Sequence, residues 1–82
     1  MTITKKVKKL LEEAFFVDLT NVTITTEDEL IEALKDETYF VNRNDDLGLE
    51  GTDTREGYIE SKNLDGVYYT VKNDKLIKVE VF

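Results

Sequence analysis

Asn42, Asn44 and Asp46 stand at alternate positions, with Glu50 and Asp53 after them. Oxygen-bearing side chains at this spacing can ring a calcium ion. The pattern departs from a calcium loop at its turn and at its end. Leu47 stands where the sharp turn needs glycine, Gly48 comes one place late, and Asp53 replaces the bidentate glutamate. The preceding segment reads as a strand, not a helix. We therefore expect no resident metal, and keep weak divalent-cation binding by this loop as a lesser alternative. Asp45 with Asp46, and Asp53 with Glu56, have the chemistry for magnesium or for acid–base work. With 18 acids in 82 residues, however, such pairs arise by chance.

The rest of the catalytic inventory is thin. Histidine and cysteine are absent, which removes the commonest general base, the commonest zinc ligands, thiolate chemistry and disulfides. Ser61 is the only serine and sits among charged neighbours. Gly48 and Gly51 lack the Lys-Ser/Thr ending of a phosphate loop. This inventory predicts no enzyme and no cofactor.

What remains is charge. The net charge is −7, and it is unevenly spread. Lys5, Lys6, Lys8 and Lys9 make the first eleven residues +4, and the remaining 71 carry −11. Such a body repels nucleic acid and favours a basic partner, although acidic surfaces also simply keep small proteins soluble. Two groups of acids form the candidate surface, Glu27, Asp28, Glu32 and Asp36 on a predicted helix, and Asp45, Asp46, Glu50 and Asp53 in the loop after it. With Tyr68, an aromatic among charged strand neighbours, these are the candidate partner-binding residues. The expected partner is a basic protein surface, in the sharpest form that of a nucleic-acid-binding enzyme, with carboxylates standing in for phosphates. In size, charge and mixed architecture the chain resembles the small nucleic-acid-mimicking inhibitors carried by bacteriophages and mobile elements, such as the uracil-DNA glycosylase inhibitors, without sharing a motif with them. That resemblance implies an inhibitor. The alternative is a structural or homo-oligomeric domain, with copies pairing through the C-terminal edge strand.

The elements that position these residues can be read from periodicity. Ile3, Val7, Leu10, Leu11, Ala14 and Phe15 recur at helical spacing, which predicts an amphipathic helix from about Ile3 to Phe16, capped by Thr2 or Thr4. Its lysines lie at the start and its glutamates at the end, against the helix dipole. Thr26 with Glu29 forms a capping box, and Leu30, Ile31, Ala33 and Leu34 give the apolar stripe of a second helix from about Glu27 to Asp36. Strands are predicted at Tyr39–Val41, Gly57–Ser61, Val67–Val71 and Leu76–Phe82, with a long exposed loop over Asn42–Gly57 and a possible short strand inside it at Leu47–Glu50.

The last two strands form a hairpin around Asn73-Asp74. A three- or five-residue loop with a bulge near Lys75 would pair Val71 with Ile77, Tyr69 with Val79 and Val67 with Val81, leaving one wholly apolar face. Tyr68, Thr70, Lys78 and Tyr58 would occupy the other face, toward solvent or a partner. Eighty-two residues predict one α+β domain, residues 1–82, with two N-terminal helices packed on one face of a small antiparallel sheet of three to four strands. No run reaches the roughly 18 apolar residues of a membrane span. The N-terminus lacks the features of a signal peptide, and a cytoplasmic location is the expectation.

Overall fold

The computed structural model describes residues 3–43 and 54–82. Helix α1 (Lys5–Phe15) and helix α2 (Glu27–Leu34, continued by a 3-10 turn at Lys35–Glu37) precede strands β1 (Thr38–Asn42), β2 (Thr54–Ser61), β3 (Gly66–Lys72) and β4 (Lys75–Val81). The strands form one antiparallel sheet in the order β1-β2-β3-β4. The α+β class follows. The expected Leu47–Glu50 strand, and Asp45, Asp46, Glu50 and Asp53, lie outside the described residues.

Both helices start where their capping residues dictate. The Thr4 hydroxyl accepts the Val7 N–H at 3.2 Å. Thr26 and Glu29 complete the capping box in both directions. The Glu29 carboxylate also accepts the Thr25 N–H at 2.9 Å and the Thr25 hydroxyl at 2.8 Å. These bonds hold its pKa below the usual value. Helix α1 ends at Phe15 because Phe16 turns into the left-handed region at φ 53°. Glu12, on the helix's last turns, accepts the Leu19 N–H at 2.8 Å and so folds the exiting chain back. That bond accounts for one of the two glutamates placed against the dipole.

Ile3, Leu11, Phe15, Leu19, Ile24, Leu30 and Leu34 share one core with Ile59, Val67, Tyr69, Val71 and Leu76 from the sheet. The helices do not, however, form the expected side-by-side layer on one sheet face. Helix α1 packs against β4, whereas α2 has no comparably broad contact with a strand. Leu30 and Leu34 reach the core by their side chains, and the hydrogen-bonded links to the sheet run from the first turn of α2 and the residues just before it. There the Leu76 N–H donates to the Thr25 carbonyl at 2.9 Å, and Thr26 bridges Lys75. This bridge also covers the start of the outer edge of β4, the strand expected to pair between copies.

The hairpin register is a second correction. Tyr69 pairs Val79 and Val67 pairs Val81 as expected, but Val71 pairs Leu76, not Ile77. Asn73 and Asp74, at φ 54° and 66°, close a two-residue turn of the type that matches strand twist. The extra residue is Ile77, accommodated as a bulge between the Thr70 and Val71 pairings. The turn residues thus keep their preferred short loop, and the bulge restores the apolar face. Leu76 is buried and Ile77 exposed as a result. Strand β2 begins three residues earlier than predicted, because Thr54, Arg55 and Glu56 continue the ladder opposite Lys72, Val71 and Thr70.

Candidate functional site

A buried carboxylate joins four elements. Glu27, the first residue of α2, is only 2 % exposed. The Tyr69 hydroxyl of β3 donates to its Oε2 at 2.6 Å. Arg55 of β2 donates to both oxygens, through Nη1 to Oε2 at 2.6 Å and through Nη2 to Oε1. Arg43, just past β1, donates to Oε1 from Nη2 at 2.6 Å and from Nε at 3.2 Å. Arg43 also reaches the exposed Asp28 at 2.9 Å, and Arg55 donates to the Arg43 carbonyl at 3.2 Å. Burial by itself would raise the Glu27 pKa. The hydrogen bonds from Arg55, Arg43 and Tyr69, with the charge of Arg55, outweigh it and bring the pKa down to about 2. Burial, and then the bond to Glu27, raise the Tyr69 phenol.

This cluster is organised for cohesion. A carboxylate held ionised by this many donors has little basicity left to take a proton from a substrate. Its position also bears on the charge reading. Glu27 was expected on an exposed acidic surface, and it lies inside the protein instead, because its side chain at the start of α2 points toward Tyr69 and the two arginines. Asp28, Glu32 and Asp36 are exposed as expected, with Asp28 paired to Arg43 and Glu32 to Lys35 at 2.7 Å. Ser61 is buried, and its hydroxyl accepts the Asn63 N–H at 3.1 Å within the β2–β3 turn. Among the described residues no group of three or more carboxylates is placed to hold a metal ion.

The opposite sheet face is built differently. Tyr58 and Tyr68 are direct cross-strand partners, and Phe82 follows β4, tied to Gly66 by backbone bonds of 2.9 and 3.0 Å. Their rings form one cluster. Tyr58 and Tyr68 have centroids 4.7 Å apart, Tyr68 and Phe82 4.8 Å, and Tyr58 and Phe82 6.4 Å. Tyr58 lies over Gly66, where a Cβ would come within 2.7 Å of the ring. No described helix covers this face. Tyr68 is 52 % exposed and Phe82 59 %, and Glu56, Lys72, Lys78 and Glu80 around them are exposed as well. Beyond Phe82 a shallow groove of about 240 Å³ continues round the sheet end between Leu10, Glu13, Ala14, Asp65 and Val81. Burial, with the nearby charge of Glu60, raises the Tyr58 phenol.

The structure therefore separates the sequence candidates. Tyr68 points away from the sheet face on which its neighbour Tyr69 meets α2, so Tyr68 and the α2 carboxylates do not share a surface. Sequence reasoning missed Arg43 and Arg55 as the partners of Glu27. A signal was there, since the chain otherwise uses lysine for its cations and places only these two arginines, one on each side of the acidic loop. Arginine is the residue of choice for bidentate, partly buried carboxylate pairing. Phe82 was missed as a member of the exposed ring cluster, since its contact with the tyrosines depends on the pairing of β2, β3 and β4.

No family model, curated protein or solved structure matches the chain. Among the described residues no helix is long and apolar enough to cross a membrane.

Proposed function

We propose that this is a non-catalytic protein-binding module that docks on a basic surface of another protein through the open face of its sheet. The observation that carries this reading is the Tyr58–Tyr68–Phe82 cluster, left uncovered on a face whose rim carries Glu56, Glu60 and Glu80 against Lys72 and Lys78. Exposed aromatic rings at the centre of a patch, with polar groups around them, are the composition of interface hot spots. A net charge of −7 steers such a face toward a cationic partner. A nucleic-acid-binding enzyme has a surface of that kind, and occupying it would make the module an inhibitor. The exposed acids of α2 then contribute long-range attraction, and Tyr68 with its neighbours supplies the contact. Salt-dependent co-purification with a nucleic-acid-binding protein, compared between the native chain and a Tyr68→Thr/Phe82→Thr variant, tests this reading.

A homo-oligomeric role is the second reading. It is favoured by β1, the other edge of the sheet, where Tyr39 and Phe40 are exposed. Pairing of copies would then use β1, since the start of the β4 edge is bridged by Thr26.

A further inference from the structure

Beside Tyr68 the open face dips into a cleft of about 170 Å³ lined by Glu56, Tyr68, Tyr69, Thr70, Lys78 and Glu80. That is room for the end of one long side chain. Resting on the reading that this face is the docking surface, we infer that the cleft receives an arginine side chain of the basic partner, stacked on Tyr68 and paired with Glu80 and Glu56.

Charge and shape select the occupant together. The cleft offers an aromatic ring, a hydroxyl from Thr70 and two carboxylates. A planar, weakly hydrated guanidinium uses both the ring and the carboxylates, whereas a compact ammonium uses mainly the charge. A cation already stands there. Lys78 Nζ lies 3.0 Å from Glu80 Oε1, with both side chains more than half exposed. Such a pair holds weakly and exchanges readily. An incoming arginine replaces Lys78 on Glu80 and lets the lysine turn to solvent. The chain's own arginines are committed to Glu27, so the guanidinium comes from outside.

The test uses a blocked tetra-arginine peptide and a blocked tetra-lysine peptide of equal charge, titrated into the 15N-labelled protein at low salt. Tetra-arginine should shift the amides of Tyr68, Thr70 and Glu80 and bind several-fold more tightly than tetra-lysine. Tyr68→Thr should weaken it roughly two- to fivefold, Glu80→Gln should weaken it, and Lys78→Gln should strengthen it. The gain with Lys78→Gln cannot arise from misfolding. Equal affinity for the two peptides, indifference to Tyr68→Thr, or shifts confined to α2 would each overturn the arginine assignment. If the arginine assignment falls while Tyr68→Thr/Phe82→Thr still abolishes partner capture, the docking face stands with different chemistry in its cleft.

Discussion

Tyr69 donates its hydroxyl proton to Glu27 across 2.6 Å, and this bond joins the first turn of α2 to the middle of β3, 42 residues further along the chain. The ring that makes the bond lies over Gly57 on the neighbouring strand, where a Cβ would run into Tyr69 Cζ and the hydroxyl. A glycine, a tyrosine and a buried glutamate thus form a single stack from β2 through β3 to α2. Two arginines surround the glutamate, and Asp28, paired with Arg43, completes the charge balance.

The first consequence is the share of the pH dependence that Glu27 supplies. Its pKa falls from 4.5 to about 2 on folding. Above about pH 4.5 the carboxylate is ionised in both folded and unfolded chains, and its full stabilisation is present. As the pH falls below that value the unfolded chain binds a proton that the folded chain does not, so the contribution is lost by about pH 2. The shift corresponds to about 3 kcal/mol. Glu27→Gln should lower stability at pH 7 by about 3 kcal/mol, since it leaves two arginines and a buried phenol facing a neutral amide. Urea titrations at several pH values should find the difference between native protein and variant shrinking as the pH approaches 2. A difference that stays constant from pH 7 to pH 2.5 would contradict the assignment.

Gly57 and Gly66 should respond differently to the same methyl group. Gly57→Ala forces a fully buried tyrosine ring off Glu27 and should cost about 2–3 kcal/mol. Gly66→Ala meets the Tyr58 ring, which is only half-buried and can swing outward, so its cost should stay below about 1 kcal/mol. Thermal melts of the two variants make the comparison. Equal losses would mean that the Tyr69 ring is not held as described.

Much of this architecture was legible in the sequence. The capping box at Thr26 and Glu29 marks the start of α2 by local hydrogen-bond chemistry. The apolar alternation on either side of Asn73-Asp74 marks the hairpin. The bulge was legible as a need, because one face had to be apolar, but not as a position. Lys75 and Ile77 are both possible places for the extra residue, and the choice depended on the turn keeping two residues. The fate of Glu27 was not legible, because its cations come from positions 43 and 55, far away in sequence and adjacent only after β1, β2 and β3 pair. The exposed ring cluster was half legible. Tyr58, Tyr68 and Phe82 each fall on the outer face by alternation, whereas their contact as one cluster depends on the pairing of β2, β3 and β4.

Two bulky residues sit in left-handed backbone conformations and should gain from glycine. Phe16 has φ 53° and Leu64 φ 71°, and both side chains are exposed, at 71 % and 81 %. Little burial is lost on replacement. Phe16→Gly and Leu64→Gly should each raise stability by about 1 kcal/mol. Chemical denaturation midpoints would show this directly, and a loss on Phe16→Gly would mean that its ring packs more than its exposure indicates.

Charge on α2 and aromatic rings on the sheet should separate in kinetics. Reversal at Asp28 and Glu32 should slow association with a basic partner and flatten its salt dependence, with a smaller effect on dissociation. Tyr68→Thr should mainly speed dissociation. Surface plasmon resonance with the captured partner measures both rates, and a dissociation rate unchanged by Tyr68→Thr would remove the ring from the contact.

The measurement that bears most directly on the docking face is paired affinity capture from bacterial lysate, using the native protein and the Tyr68→Thr/Phe82→Thr variant as baits at low and high salt. We expect the native bait to retain a nucleic-acid-binding protein at low salt and release it at high salt, and the folded variant to retain none of it. Retention of the same protein by both baits would contradict the account, placing the contact away from the open sheet face.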